Sequence, residues 1–196
     1  MPSVHTRAST RHEAWSILHR MKGPAVNTIA DYLSPEDISL GVDVADKHEL
    51  FEAVGRQMER EHALPLNSIA LGLSRREQVG STGLGQGVAI PHTRVAHLNR
   101  ILVSYMRLKS AIHFDAPDGK PVSDILVLLV PKQADEEHLK VLADAAQMFS
   151  DRNLRARLQE CGDALEVKHL FDAWPVTAAI MALKNPTEIF IHRREM

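Results

Sequence analysis

The 196-residue sequence contains a single cysteine, Cys161. One thiol closes no internal disulfide, which excludes a cross-linked secreted scaffold and points to a reducing compartment. No long hydrophobic run is present. A membrane span needs roughly 18–20 apolar residues, and the longest run here, Ile125 to Val130, reads as a buried strand. An excess of charge of one sign is also missing. Lys and Arg number 23, Asp and Glu 25, for a formal net charge of -2. Nothing in that balance draws the whole protein to nucleic acid or to an anionic membrane. Arg7, Arg11 and Arg20 lie near the start, but no apolar core of signal-peptide length follows them. Repeats and low-complexity tracts are absent. Eleven histidines raise a metal hypothesis, yet no H-E-x-x-H occurs, and His92 and His97 have no cysteine or carboxylate cluster beside them. These absences lead to the expectation of a cytoplasmic protein without metal or cofactor, membrane insertion or nucleic-acid partner.

What is present suits a globular α/β chain. Forty-four per cent of residues are hydrophobic, enough for a sizeable core. Residues 1–24 read as a flexible, basic N-terminal arm ending at Gly23-Pro24. The rival reading is a short amphipathic helix with Trp15, Leu18 and Met21 on one side. A domain over 25–174 follows, and 175–196 read as a C-terminal tail. Within the domain, Thr28–Leu33 is a short helix or turn and Ile38–Val42 alternates as a strand. Asp46, with Glu49 three residues on, resembles a capping box. It opens a helix with Leu50, Phe51, Val54 and Met58 on one face. Asn67 is the expected cap of a second helix bearing Ile69, Leu71 and Leu73. A glycine-rich loop comes next, then strands at Val88–Ile90, Ile101–Leu108 and Val122–Val130. The last is nearly all apolar, as a central strand would be. Asp135 is the expected cap of a helix whose inward face reads His138, Leu142, Ala145 and Phe149. Helices at Asp151–Glu160 and Asp163–Ala173 complete it. The fold class is α/β (α+β): a single domain with a mixed β-sheet flanked by helices on both faces.

The chemistry gathers around His92. Gly80, Gly83, Gly85 and Gly87 crowd one short segment, where backbone amides can take up left-handed turns and form a concave anion site. Ser81 and Thr82 add hydroxyl donors, and Arg76 a planar fork suited to phosphate oxygens. The candidate phosphate-binding set is therefore Ser81, Thr82, Gly83, Gly85 and Gly87. His92 follows a short apolar strand directly, with Pro91 fixing the exit of the chain. A neutral imidazole facing such a site suits phosphoryl transfer. His138, in the first turn of its helix, could donate to a phosphoryl oxygen or fix the tautomer of His92. The glycine run lacks the Gly-Lys-Ser/Thr end of a nucleotide loop, since Val88 follows Gly87. The residues alone leave a second reading open, a glycine-rich hairpin beside a satisfied core histidine.

The stretch from Glu77 to His92 resembles the phosphorylation-site signature of the mannitol/fructose-type enzyme IIA domains of the bacterial phosphotransferase system. Glu77, Leu84, Gly85, Val88, Ala89, Ile90, Pro91 and His92 satisfy that pattern. Arg76-Glu77 before Gly80-Ser81-Thr82-Gly83 looks most like the nitrogen-branch regulatory members. The similarity continues through Phe114-Asp115-Ala116 and Pro121-Val122 to the helix bearing His138. The resemblance implies a phosphohistidine carrier, with His92 as acceptor and Arg76 and His138 as catalytic partners. It implies an HPr-like donor and a regulatory target or a IIB protein as acceptor. A sugar-specific enzyme IIA and a non-catalytic anion-sensing module are the alternatives. One departure stands out. The residue after the histidine is usually small in this family, and here it is Thr93, followed by Arg94.

Overall fold

The computed structural model describes residues 28–133 and 136–174. At its centre β5 (Leu102–Ile112) and β6 (Val122–Pro131) pair antiparallel, Leu102 opposite Leu129 and Arg107 opposite Asp124. Every residue from Ile125 to Val130 is buried. Such a strand has no solvent face, so its sequence is a continuous apolar run rather than an alternation. On the far side of β5, β1 (Ile38–Val42) runs parallel to it. On the far side of β6, β3 (Val88–Ala89) and β4 (His92–Val95) run parallel to it in turn. β2 (Gly83–Gly85) folds back antiparallel on β3.

Among the described residues, six α-helices cover this mixed sheet. One face carries α2 (Lys47–His62) and α3 (Leu66–Val79), packed through Leu50, Phe51, Val54, Met58, Ile69 and Leu73 on Ala89, Val127 and Leu129. The other carries α1 (Thr28–Tyr32), α4 (Glu136–Ser150), α5 (Arg152–Glu160) and α6 (Ala164–Ala173), packed on Val88, Ile90, Leu126 and Leu128. Strand residues alternate between the two cores, as the two-residue period of a pleated strand requires. The architecture is the mixed sheet with helices on both faces that the sequence implied. No helix among the described residues is long and apolar enough to cross a membrane.

Local signals hold at several helix starts. Asp46 accepts the Glu49 amide at 2.9 Å, and Glu49 reaches back to the Ala45 amide at 2.8 Å. Asp163 and Glu166 do the same at the start of α6, while Asp151 caps α5 by accepting the Asn153 and Leu154 amides. Other expectations need correction. Asn67 is not a cap, because α3 begins at Leu66 with Pro65 in the cap position. Of the apolar residues read on that helix, Ile69 and Leu73 are buried and Leu71 is exposed. Val141 and Met148 join Ala145 and Phe149 as the buried face of α4. The glycine-rich segment is a strand and hairpin, and β5 runs on to Ile112. The expected arm 1–24, the tail 175–196 and the Asp135 cap lie outside the described residues.

Candidate functional site

The run from Val88 to Val95 keeps one register along β6. Val88 lies opposite Asp124, and His92 opposite Leu128. Pro91 therefore interrupts the strand without bending it away, and its carbonyl still accepts the Leu128 amide at 3.0 Å. Ile90 donates its amide to the Thr82 carbonyl at 3.0 Å. β2 does not extend past that point, so the strand edge opens there. The Ile90 carbonyl then takes the His92 ring, with Nδ1 at 3.0 Å.

That contact decides the chemistry of the ring. A carbonyl oxygen only accepts, so Nδ1 carries the proton and Nε2 keeps a lone pair. Arg76, near the end of α3, donates its Nε–H to that lone pair at 3.1 Å. Its Nη1 donates to the Gly80 carbonyl at 2.9 Å, which holds the fork in place. His92 and Arg76 are both half-buried. Burial lowers the His92 pKa from its ordinary value of 6.5. The Ile90 hydrogen bond and the Glu77 charge oppose that shift, while Arg76 and His138 add to it. Burial thus favours the neutral ring, whose unprotonated Nε2 is engaged by Arg76.

His138 sits in the first turn of α4, on the core side of the sheet shared with Ile90. Its Nδ1 is buried and has no hydrogen-bond partner among the described residues. A buried polar atom left without a partner costs about 1–3 kcal/mol, so this ring holds an unspent hydrogen-bonding position. The structure brings Arg76, His92 and His138 into one electrostatic neighbourhood, as the sequence reading expected. The tautomer of His92, however, is set by Ile90 rather than by His138.

The phosphate-binding set needs correction. Ser81 donates its hydroxyl to the Phe114 carbonyl at 2.6 Å. Thr82 gives both its amide, at 3.0 Å, and its hydroxyl, at 2.6 Å, to Glu77. Gly83 pairs with Ala89, and a Cβ there would stand 2.9 Å from the Ala116 Cβ, so close packing explains that glycine. Gly85 and Gly87 flank the hairpin tip with φ of 86° and 82°. The tip amide of Gln86 donates to the Asp118 carboxylate at 2.7 Å, and the Gln86 side chain takes Arg155. An anion is already in place there. Gly87 also lies five residues of extended strand from His92, ~16 Å at the usual rise. The tip cannot hold a group bound to His92. Lys47, which bridges Glu77 at 3.3 Å and Asp115 at 2.6 Å, was missed because its partners are remote in sequence.

Residues 31–174 match the family model described as phosphoenolpyruvate-dependent sugar phosphotransferase system, EIIA 2. A nitrogen regulatory protein homolog of Haemophilus influenzae is 33 % identical over 148 residues, covering 74 % of this chain and 90 % of that protein. The nitrogen regulatory protein of Pseudomonas aeruginosa is 36 % identical over 135 residues, 67 % of this chain and 86 % of that one. The crystal structure of nitrogen regulatory protein IIA-Ntr from Neisseria meningitidis superposes with a TM-score of 0.70 at 43 % identity, covering 74 % of this chain and 99 % of that chain. With a family match over residues 31–174, the chain belongs to the EIIA 2 family of the phosphoenolpyruvate-dependent sugar phosphotransferase system.

Proposed function

We propose that the protein is a cytoplasmic phosphohistidine carrier that accepts a phosphoryl group on His92 Nε2 from an HPr-like donor and serves a nitrogen-related regulatory role. The observation that carries this reading is the His92 hydrogen-bond pair. Nδ1–H is committed to the Ile90 carbonyl, and the Nε2 lone pair is met, among the described residues, by the Arg76 Nε–H.

In the transfer step Arg76 gives up the lone pair and turns its donors to the incoming phosphoryl oxygens. Nε2 forms a bond to phosphorus as the donor's P–N bond breaks. The donor ring, protonated on its other nitrogen, leaves neutral with the bonding pair. The His92 ring becomes a phosphoimidazolium whose positive charge sits against the Ile90 carbonyl. That charge keeps the new N–P bond labile, as a carrier requires. The His138 ring, whose Nδ1 has no partner among the described residues, supplies a further contact for the oxygens. Positioning and charge stabilisation supply most of the catalysis in such a step.

The names of the full-length relatives favour a regulatory role over sugar uptake, with a regulatory protein as the receiver of the signal. Incubation with phosphoenolpyruvate and the upstream carriers should give an acid-labile, base-stable label. The His92→Ala variant should fold normally and take up none. A label of undiminished yield in that variant would reject His92. The absence of any label on the parent would favour an anion-sensing module, and rapid transfer to a IIB protein would favour the sugar-type enzyme IIA.

A further inference from the structure

Glu77 follows Arg76 directly, and its side chain is only 6 % exposed. A buried carboxylate persists only if its charge is met. One oxygen takes the amide and hydroxyl of Thr82. The other faces the ammonium of Lys47, at 3.3 Å. Lys47 is the first residue of α2, and its ammonium also pairs with Asp115 at 2.6 Å and lies 5.1 Å from the centre of the Phe114 ring. The Phe114 carbonyl in turn holds Ser81. Burial works against the charge on Lys47, but the hydrogen bonds to Asp115 and Glu77 outweigh it and raise its pKa.

One cation therefore ties together the start of α2, the end of α3, the 80–82 turn and the segment after β5. That turn carries the Gly80 carbonyl that fixes the Arg76 fork, and the fork meets His92. Without Lys47, Glu77 must either stay charged without a counter-ion or take up a proton. The first outcome adds unbalanced negative charge beside His92. The second weakens its grip on Thr82 and frees the turn. Either moves the guanidinium off its mark.

We propose that Lys47 is a positioning residue for phosphoryl acceptance, acting through Glu77 to hold Arg76 on His92. The proposal rests on His92 being the acceptor.

The test uses phosphoramidate, a small donor that needs no partner protein. Nε2 forms the N–P bond as the P–N bond of phosphoramidate breaks, ammonia carries off the bonding pair, and the Nδ1 proton stays on the ring. Phosphohistidine is followed by phosphorus NMR on the full chain, with thermal melts as the check on folding. Lys47→Met should slow labelling of His92 roughly 10- to 100-fold, the usual cost of a small misplacement. Lys47→Arg should restore most of the rate. In a Glu77→Gln background, which keeps an acceptor for Thr82 but removes the buried charge, Lys47→Met should cost little more. Folded Lys47→Met labelled at the parental rate would overturn the proposal, as would equal slowing in both backgrounds. Should Lys47→Met not fold, Lys47→Met/Glu77→Gln labelled far more slowly than Glu77→Gln alone would overturn it too. A parent that takes no label at His92 would remove the acceptor assignment itself, and with it the role of Lys47.

Discussion

At the scale of single residues, the His92 ring is poised by opposing forces, and burial wins. A ring whose folded pKa lies below 6.5 stays neutral and nucleophilic through the physiological range. An NMR titration of the ring protons should give a midpoint below that of an unstructured histidine. Arg76→Gln should move it upward, because a positive neighbour that opposes protonation has been removed. A midpoint unchanged by that substitution would contradict the short Arg76–His92 contact. The sign for stability follows. The unfolded ring binds its proton more readily, so this residue's contribution is present above about pH 6.5 and is lost as the pH falls toward the folded value. His92, Arg76 and His138 were legible in the sequence because a short motif and a helix start announce them. Ile90 was not, since any residue offers a carbonyl and only the open strand edge makes this one available. Lys47 was not, because 30 residues separate it from Glu77. Gly85 and Gly87 were read as an anion cradle because glycine spacing reports backbone freedom and says nothing of what faces the turn.

At the scale of elements, the residue pattern found the long pieces and some of the short ones. β1 and β6 were placed within a residue, and the four-residue face of α2 is buried as read. β2 and β4 escaped notice because three or four residues carry no measurable period, and pairing with neighbours makes them strands. Glycines inside the helices report contacts that no pattern shows. A Cβ on Gly55 of α2 would stand 2.8 Å from the Leu66 carbonyl oxygen, which is backbone and cannot rotate away. Gly55→Ala should therefore destabilise by about 1–3 kcal/mol in urea unfolding, outweighing the ~1 kcal/mol that alanine gains in a helix. Gly72 of α3 faces Thr93 instead, with a built Cβ 2.8 Å from Oγ1 and 3.2 Å from Cγ2. Here the neighbour is the side chain that departs from the family's small residue, and the two positions fit each other. Gly72→Ala should destabilise alone, yet stabilise by about 1 kcal/mol in a Thr93→Ala background. Additive effects in that double-mutant cycle would show that the two side chains do not meet.

At the scale of the whole molecule, the sheet separates chemistry from a buried polar cluster. His92 lies opposite Leu128 of β6, and Asp124 lies four residues back along that strand, ~13 Å away at the usual rise. Asp124 is 4 % exposed and takes hydrogen bonds from Tyr105, Ser123 and Gln159. Burial nevertheless raises its pKa from 3.8, because those hydrogen bonds only partly offset the loss of water. Arg107 lends its charge from nearby but spends its donors on the carbonyls of Leu158 and Cys161 at the end of α5. An acid with a raised folded pKa contributes stability that is full below its unfolded value and is lost as the pH rises through the folded one. Asp124→Asn, which copies the protonated form, should thus melt at or above the parent temperature at pH 7. The gap should close as the pH is lowered toward 4. Labelling of His92 should proceed at the parental rate throughout, because nothing in the Arg76–Glu77–Lys47 chain reaches this far along β6. A variant that melts lower than the parent at neutral pH and not at acid pH would mean that the Asp124 charge, rather than its shape, holds this end of the sheet together.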